Sequence, residues 1–402
     1  MKPPAGDDAG RAPDANAAPS RWWLNPALAQ LAFGSSVRAN KSASVSMASA
    51  MFNALQGTDA SALDLDDPAQ RAFGDYELLE QIGQGGMGLV FRARQHRLDR
   101  EVAIKLLSAG AWAPEPLVDS LRREAQHAAQ LQHANIVTVF EMGEHEGLIF
   151  YAMQLVRGRS LSQQLDADGP LPARDAARLL RTIAEAVDYA HRLGVLHLDL
   201  KPGNILIDDT PGKSAGAPLV TDFGLARRIE QALERDNISG TPSYMAPEQA
   251  RTDGPALTPA TDVWALGAVL YETLTGHPPF DGVDAADTVR LLLDANLRKP
   301  SRYLPLPADL EAICLHCLEK DPARRYPDAR ALADDLGRFL EGRAVSVRPL
   351  NAAQRMWRWA RREPRVAAGL GFAALSLVAG VIATSVQWSR AEANASTASQ
   401  RL

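Results

Sequence analysis

The residues of this 402-residue chain that are best suited to catalysis lie in the segment 197–204 and, further along, at Asp222. Asp199 and Asn204 are five positions apart, in a stretch predicted to form a loop after an amphipathic helix. A carboxylate there can orient a hydroxyl nucleophile and accept its proton, and an asparagine can bind Mg²⁺ through its carbonyl oxygen. Asp222 follows the apolar strand 219–221, so a second carboxylate, a hard Mg²⁺ ligand, stands at a strand end.

Glycines at positions 83, 85 and 88 give the spacing Gly-x-Gly-x-x-Gly between two predicted strands. Glycine lets backbone amides approach phosphate oxygens without a side chain in the way. The same spacing occurs in dinucleotide-binding folds, where the last glycine opens a helix. Here Gly88 is followed by residues 89–93, which alternate like a strand. The pattern therefore predicts a lid over a nucleotide and argues against a dinucleotide-binding oxidoreductase.

Lys105 ends the apolar strand Val-Ala-Ile-Lys, where a lysine is costly to bury without partners. Glu124, on the following predicted helix, is one candidate partner, and the phosphates of a nucleotide are another. A solvated ion pair between the two side chains explains the same residues, so this pair alone does not indicate a function.

The elements that must position these residues form a strand-rich half followed by a helix-rich half. Strands are predicted over 76–82, 89–95, 101–107, 136–140 and 148–154, with one helix over 115–131. After Gly158 the patterns turn helical, most clearly over 172–193, 260–275 and 328–341. This order predicts two lobes joined near 155–158.

Two further motifs, Ala-Pro-Glu at 246–248 and Asp-Val-Trp-Ala-Leu-Gly at 262–267, complete the set. Together with the motifs described above, they resemble the eukaryotic-type (Hanks-type) protein kinases, and most of all the membrane-anchored serine/threonine kinases of bacteria. The resemblance covers about residues 76–341. It implies an α+β, two-lobed protein kinase fold. An N-lobe of one antiparallel five-stranded sheet and one helix would precede a mostly helical C-lobe and a single transmembrane helix.

The resemblance implies a role in phosphoryl transfer for each matched residue. Asp199 would be the catalytic base, and Lys201 would neutralise the γ-phosphate. Lys105 would hold the α- and β-phosphates of ATP and pair with Glu124. The metal ligands would be Asn204 and Asp222, binding Mg²⁺ or, as an alternative, Mn²⁺.

The resemblance also implies an ATP pocket below the glycine-rich lid. Val90 and Ala103 would cover the adenine, Leu206 would form its floor, and Met153 would be the gatekeeper. The complete implied set is Ile82, Gly83, Gln84, Gly85, Gly86, Met87, Gly88, Leu89, Val90, Ala103, Lys105, Met153, Gln154, Val156 and Leu206. Two structural contacts are implied as well, Glu248 with Arg325 and Asp262 with the catalytic loop.

The implied activity is transfer of phosphate from Mg-ATP to serine and threonine hydroxyls of protein substrates in membrane-associated signalling, with a homodimer as an allowed assembly. Lys201 in Leu-Lys-Pro and Thr241 in Gly-Thr-Pro-Ser-Tyr resemble serine/threonine rather than tyrosine kinases. The alternative is a nucleotide-binding scaffold without phosphotransfer. That alternative predicts the loss of a lysine, aspartate or asparagine of the site, and all of these residues are present.

One departure from the family pattern concerns regulation. The usual His-Arg-Asp reads His-Leu-Asp, with Leu198 in place of the arginine that normally receives a phosphorylated activation-loop residue. The loop itself contains no Ser, Thr or Tyr from Ala226 to Ile238. Both halves of the switch are missing, which predicts activity that does not depend on activation-loop phosphorylation.

The C-terminal part of the sequence predicts a membrane anchor. Residues 343–365 contain seven Arg and one Glu, and residues 366–386 contain no charged side chain. A helix of those 21 residues spans about 31 Å, which matches a hydrocarbon core of about 30 Å, although a buried core helix is the alternative. The arginines predict a basic juxtamembrane segment at 342–365 on the cytoplasmic side. The kinase domain would then face the cytoplasm of a single-pass inner-membrane protein, with 387–402 outside.

Composition adds few constraints. Residues 1–75 are predicted to be a disordered arm, because the first 20 are rich in Ala, Pro, Gly and Asp, with a short amphipathic helix near 25–33 as the alternative for part of it. The net charge of −5 gives no reason to expect nucleic-acid binding. Two cysteines cannot form a disulfide framework, which indicates a reducing compartment.

Cys314 and Cys317 have a zinc-like spacing, but no second Cys/His pair lies nearby. This favours two thiols on a helix that packs in the core.

Overall fold

A computed structural model describes residues 65–67, 71–85, 88–107, 130–210, 216–223, 242–251 and 254–348, with five single positions between 376 and 388. Glu124, Gly86, Met87, Ser239 and Thr241 lie outside these ranges. So do most of the predicted arm, the segment 349–365, the tail after 388, and all but isolated positions of the predicted membrane helix.

The first half of the described chain is an antiparallel sheet. Its strands are β1 (Ala72–Phe73), β2 (Tyr76–Gly85), β3 (Gly88–Gln95), β4 (Arg100–Leu107), β5 (Val139–His145) and β6 (Leu148–Gln154). They lie in the order β1-β2-β3-β4-β6-β5. Six consecutive residues of β4, Val102 to Leu107, are buried with Lys105 among them, so the side chains on both faces of this strand are covered.

The prediction of five strands is wrong by one, because β1 adds a sixth. Ala72 pairs with Glu77 and Phe73 with Tyr76. The Phe73 ring is fully buried and packs edge-on against Phe150, with centroids 5.1 Å apart. Folded structure therefore begins within the segment assigned to the arm. The helix predicted over 115–131 falls almost entirely outside the described residues.

The predicted strand 136–140 also differs from the structure, where β5 begins at Val139. The preceding residues pair with the other lobe instead. Ile136 forms an isolated parallel bridge with Val220, and the Val137 N–H donates to the Val220 carbonyl at 2.9 Å. This crossing connects the two lobes directly behind the segment that contains Asp222.

The second half is mostly helical. Its elements are β7 (Gly158–Ser160), α1 (Leu161–Asp168), α2 (Ala173–Arg192), β8 (Ile205–Asp208), β9 (Ala217–Val220), α3 (Pro259–Thr275), α4 (Ala285–Asp294), α5 (Ala308–Cys317) and α6 (Ala329–Leu340). Strands β7, β8 and β9 form a small antiparallel sheet. Helix α3 is buried along almost its whole length, so it is the central element of this lobe. The three strongest helix predictions correspond to α2, α3 and α6.

Cys314 and Cys317 lie in the core of this lobe, both fully buried on α5. Burial raises the pKa of both thiols well above the ordinary range. Across the described part of the chain, no group of three or more His, Cys, Asp or Glu side chains is placed to hold a metal ion. The geometry therefore fits the packing interpretation of this pair.

Asp335 anchors the end of the lobe. Its fully buried carboxylate accepts hydrogen bonds from the Ser346 N–H at 2.9 Å, the Ser346 hydroxyl at 2.6 Å and the Tyr326 hydroxyl at 2.9 Å. Burial by itself would raise the pKa of Asp335, but these hydrogen bonds and that of Arg338 hold it below the ordinary value. The chain after α6 is thereby tied to the C-lobe.

Where the chain is described, no helix combines the length and apolar character needed to cross a membrane.

Candidate active site

The loop 197–204 lies between α2 and β8 and is tied to the segment before Asp222 through His197. The buried imidazole accepts from the Asp199 N–H at Nδ1, at 3.3 Å, so its other nitrogen carries the proton. That nitrogen, Nε2, donates to the Thr221 carbonyl at 3.0 Å. The ring also packs on Phe223, with centroids 4.6 Å apart. Asp199 and Asp222 are thus held in a fixed relation.

Asp262 of α3 braces the same loop, as the sequence predicted. Its fully buried carboxylate accepts from the His197 N–H at 2.7 Å and from the Leu198 N–H at 2.8 Å. His191 adds a third hydrogen bond at 2.8 Å. Burial by itself would raise the pKa of Asp262, but the hydrogen bond from His191 and the neighbouring imidazoles hold it below the ordinary value. An ionised carboxylate therefore fixes two consecutive backbone amides of the loop.

Asp199 is the centre of a compact polar cluster. The Lys201 ammonium lies 2.9 Å from Asp199 Oδ2, and the Asn204 side-chain amide donates to the same oxygen at 3.0 Å. Asn204 also donates to the Asp199 main-chain carbonyl at 2.8 Å. The Asp199 side chain keeps 21% of its surface exposed, so the carboxylate is oriented but still accessible to a substrate hydroxyl.

Lys105 pairs with Asp222 in the structure. Their ammonium and carboxylate are 2.7 Å apart, and Lys105 is 93% buried. Burial by itself would raise the pKa of Asp222, but the charge and hydrogen bond of Lys105 hold it below the ordinary value. The predicted partner Glu124 lies outside the described residues. Both side chains line a cavity together with Met153 and Tyr151.

Most of the predicted adenine pocket is brought together in one apolar cluster. Ala103 pairs with Met153 across β4 and β6, and Leu206 pairs with Leu219 across β8 and β9. The cluster comprises Val90, Ala103, Val137, Met153, Leu155, Val156, Leu206 and Leu219. Sequence reasoning missed Val137 and Leu219, whereas Leu155 lies in the stretch 154–156 whose backbone the resemblance places against the adenine. The run of buried residues 218–220 in β9 could have pointed to Leu219, whereas Val137 precedes β5 and belongs to no strand.

Two residues of the implied nucleotide-binding set also have contacts within the first lobe. The Gln154 N–H donates to the Thr138 carbonyl at 2.9 Å. Leu89 is buried in the core of the first sheet, whereas its neighbour Val90 packs on the apolar cluster. Only the Val90 side of β3 therefore faces the pocket.

The glycine-rich segment forms the predicted hairpin between β2 and β3. Gly83 pairs with Val90, Gln84 with Leu89 and Gly85 with Gly88, and Ile82 is 45% exposed. Gly88 has φ +147°, and a Cβ there would lie 1.7 Å from the Leu106 carbonyl oxygen. Only glycine can occupy this position, since any side chain would collide with β4.

Glu248 and Arg325 form the implied pair deep in the C-lobe. Both guanidinium NH₂ groups donate to the carboxylate at 2.8 Å, and neither side chain is more than 2% exposed. Arg325 also donates to the carbonyls of Ala260 and Glu319 and lies over the Trp264 ring, 5.0 Å from its centre. The turn that contains Glu248 is thereby fixed to α3.

Comparison with known proteins agrees with this geometry. The protein kinase domain family matches residues 76–336. The chain is 37% identical over 270 residues to serine/threonine-protein kinase PrkC of Bacillus subtilis, covering 66% of this chain and 41% of that one. It is 38% identical over 275 residues to serine/threonine-protein kinase PknB of Mycobacterium leprae, covering 66% and 43%. The match thus spans about two fifths of the length of these relatives.

Solved structures give the same result. The PknI kinase domain of Mycobacterium tuberculosis superposes with a TM-score of 0.54 at 28% identity, covering 66% of this chain and 96% of that one. Rad53 1-466 in complex with AMP-PNP superposes with a TM-score of 0.54 at 27% identity, covering 64% of each chain.

Proposed function

Because this chain belongs to the protein kinase family, we propose that it transfers the γ-phosphate of ATP to serine and threonine hydroxyls of protein substrates. The observation that carries the proposal is the cluster of Asp199, Lys201 and Asn204, which His197 holds in a fixed relation to the Lys105–Asp222 pair. The relatives named serine/threonine kinases support the choice of hydroxyl acceptor, as does Lys201 in Leu-Lys-Pro.

The residues present fit a metal-bound nucleotide. Asp222 is ionised at neutral pH because its pKa is lowered, and the bonds from Asn204 to Asp199 use the amide nitrogen, which leaves the carbonyl oxygen for a cation. These two side chains would hold Mg²⁺ or Mn²⁺. A divalent ion held by them would supply positive charge next to the phosphates.

The chain's own residues would do the rest by positioning and electrostatics. Asp199 accepts the proton of the substrate hydroxyl, and its orientation is set by Lys201 and Asn204. Lys201 and Lys105 supply positive charge where the transferred group and the nucleotide phosphates carry negative charge. The apolar cluster around Ala103 and Met153 offers a dry surface for the adenine.

The test is ³²P transfer from ATP to a basic protein by the full chain, with Mg²⁺ and Mn²⁺ in parallel. Asp199→Asn is the matched control, and we expect it to lower the rate by about 10²- to 10⁴-fold, the usual contribution of a general base. Nucleotide binding without transfer above this control would instead favour a non-catalytic scaffold.

We also propose that activity does not require phosphorylation of the activation loop. Leu198 stands where the phosphate-binding arginine is usual, and residues 226–238 offer no hydroxyl to modify. Ser239→Ala should therefore retain full activity. If activity collapses in Ser239→Ala and returns in Ser239→Glu, the proposal is wrong.

The last proposal is that residues 366–386 anchor the kinase in the inner membrane, with the kinase domain in the cytoplasm and the C-terminus outside. Juxtamembrane arginines gain about 1 kcal/mol each near an anionic leaflet. Replacing the four residues Arg355, Arg358, Arg361 and Arg362 by Gln should loosen membrane binding or disturb topology, whereas replacement by Lys should not. Unchanged fractionation and an unchanged C-terminal reporter in the Gln variant would show that the arginines are not needed.

A further inference from the structure

Leu198, the residue directly before Asp199, has a backbone conformation that leucine rarely adopts. Its φ is +64°, in the left-handed region. A β-carbon makes this region unfavourable, so a non-glycine residue stays there only when its surroundings impose it. The conformation of Leu198 determines where the next residue, the proposed base, is presented.

Two side chains from outside the loop impose that conformation, one on each side of Leu198. Asp262 accepts the Leu198 N–H at 2.8 Å, and the Gln249 amide nitrogen donates to the Leu198 carbonyl at 2.9 Å. That carbonyl belongs to the same peptide unit as the Asp199 N–H, which donates to His197 at 3.3 Å. The bond from Gln249 therefore fixes the peptide plane that leads into Asp199.

The Gln249 amide can act only in one orientation. Its oxygen accepts from the Ala246 N–H at 2.9 Å, and a backbone N–H cannot accept, so the NH₂ group must face Leu198. A methionine here would make neither bond, and an ionised glutamate would set a carboxylate oxygen against the Leu198 carbonyl. The adjacent Glu248, locked to Arg325, fixes the turn from which Gln249 projects.

We propose that Gln249 is a positioning residue for phosphoryl transfer, an inference that rests on the function proposed above. Its amide joins the turn 246–249 to the loop 197–204, and this contact needs no phosphorylated residue. In relatives with His-Arg-Asp, the side chain before the aspartate can make such a connection through a phosphorylated residue. Here Leu198 contributes only its backbone, and Gln249 supplies the connection.

The first experiment compares the full chain with Gln249→Met and with a matched control, Gln163→Met. Gln163 also holds a backbone group through its amide, at Ser160 in the cap of α1, but it lies outside the site. We expect kcat to fall about five- to tenfold in Gln249→Met, the loss typical of one hydrogen bond, with KM for ATP within about twofold of wild type. The Gln163→Met variant should keep the wild-type kcat.

The second experiment uses pH. In Gln249→Glu, a protonated carboxyl regains a donor for the Leu198 carbonyl. The kcat of this variant relative to wild type should therefore rise as pH falls from about 6 to about 4, through the ordinary pKa of a glutamate carboxyl. A role confined to folding would lower the melting temperature of Gln249→Met without producing this pH-dependent ratio.

Hydrogen exchange gives a readout that does not require catalysis. Peptides containing 197–200 should exchange faster in Gln249→Met than in wild type, and no faster in Gln163→Met. Wild-type phosphotransfer with unchanged kcat and unchanged exchange in Gln249→Met would overturn this inference alone. A wild-type protein that transfers no phosphate would overturn the proposed function, while the exchange result would still decide whether Gln249 holds the loop.

Discussion

The buried pair of Glu248 and Arg325 allows a quantitative test of how the C-lobe holds the site. Glu248→Gln keeps the shape of the side chain, but one of the two carboxylate oxygens becomes an NH₂ group that faces the Arg325 guanidinium. Arg325 would keep its bonds to the Ala260 and Glu319 carbonyls, at 2.9 and 2.7 Å, yet its positive charge would be buried without a counter-charge.

The magnitude follows from this burial. Arg325 has no exposed side-chain surface and Glu248 has 2%, so water cannot replace the lost partner. Removing one member of such a pair costs about 3–5 kcal/mol of unfolding free energy. For a domain of this size each kcal/mol lowers the melting temperature by about 2–4 °C, so we expect a decrease of about 6–20 °C.

The assay is urea-induced unfolding of the full chain followed by circular dichroism, with Glu185→Gln as control. Glu185 pairs with Arg181 at 3.1 Å on α2, where both side chains are about two fifths exposed. Such a pair contributes about 0.3–0.5 kcal/mol. If Glu248→Gln costs no more than this control, the argument from burial is wrong. The double variant Glu248→Leu, Arg325→Met should lose less unfolding free energy than Glu248→Leu and Arg325→Met lose when added together. In the double variant no charge is left unpaired.

Three other outcomes follow from the structure. Gly88→Ala should destabilise the fold by more than about 2 kcal/mol in the same urea assay, because its Cβ would meet the Leu106 carbonyl; a loss below about 1 kcal/mol would contradict the observed hairpin. The Asp335→Asn variant should be less stable than wild type at neutral pH. Since the pKa of Asp335 is depressed on folding, that difference should shrink as pH falls below about 4, and a constant difference would contradict the assignment. At about pH 8, neither Cys314 nor Cys317 should react with a disulfide reagent until the protein unfolds; rapid reaction of the native protein would show that the thiols are accessible.

The sequence predicted the parts of the fold that depend on long periodic patterns or on short spacing. Helix α2 carries such a pattern over 20 residues, whereas α3 is a long apolar segment that is buried on all sides. The protein kinase fold is confirmed by the family match and by the solved kinase domains. Asp199, Lys201 and Asn204 lie within six positions of one another in a single loop, so their proximity follows from local geometry alone.

Features that depend on distant pairing could not be predicted in this way. A two-residue strand such as β1 has no period, and it forms because Phe73 is buried against Phe150. The contact between Gln249 and Leu198 joins residues 51 positions apart, and a glutamine after Ala-Pro-Glu has no pattern that marks it. The pairing of Lys105 with Asp222 could not be predicted from the sequence either. Glu124 carries the same charge and lies closer to Lys105 along the chain.

At position 198 the change from the usual arginine to leucine has to be considered separately for the side chain and for the backbone. The side chain decides whether a phosphorylated residue can be bound, and leucine has no charge or hydrogen-bond donor with which to bind one. The backbone decides where Asp199 is presented, and it is held by bonds to the Leu198 N–H and carbonyl that any residue except proline could make. The regulation proposed above therefore concerns the side chain at 198, whereas the geometry that the proposed catalysis needs depends on its main chain. The left-handed conformation, unfavourable for leucine as for arginine, is retained because Asp262 and Gln249 both act on the main chain. A Leu198→Arg substitution by itself would thus leave the base where it is, and it would restore no switch while residues 226–238 contain no hydroxyl to phosphorylate.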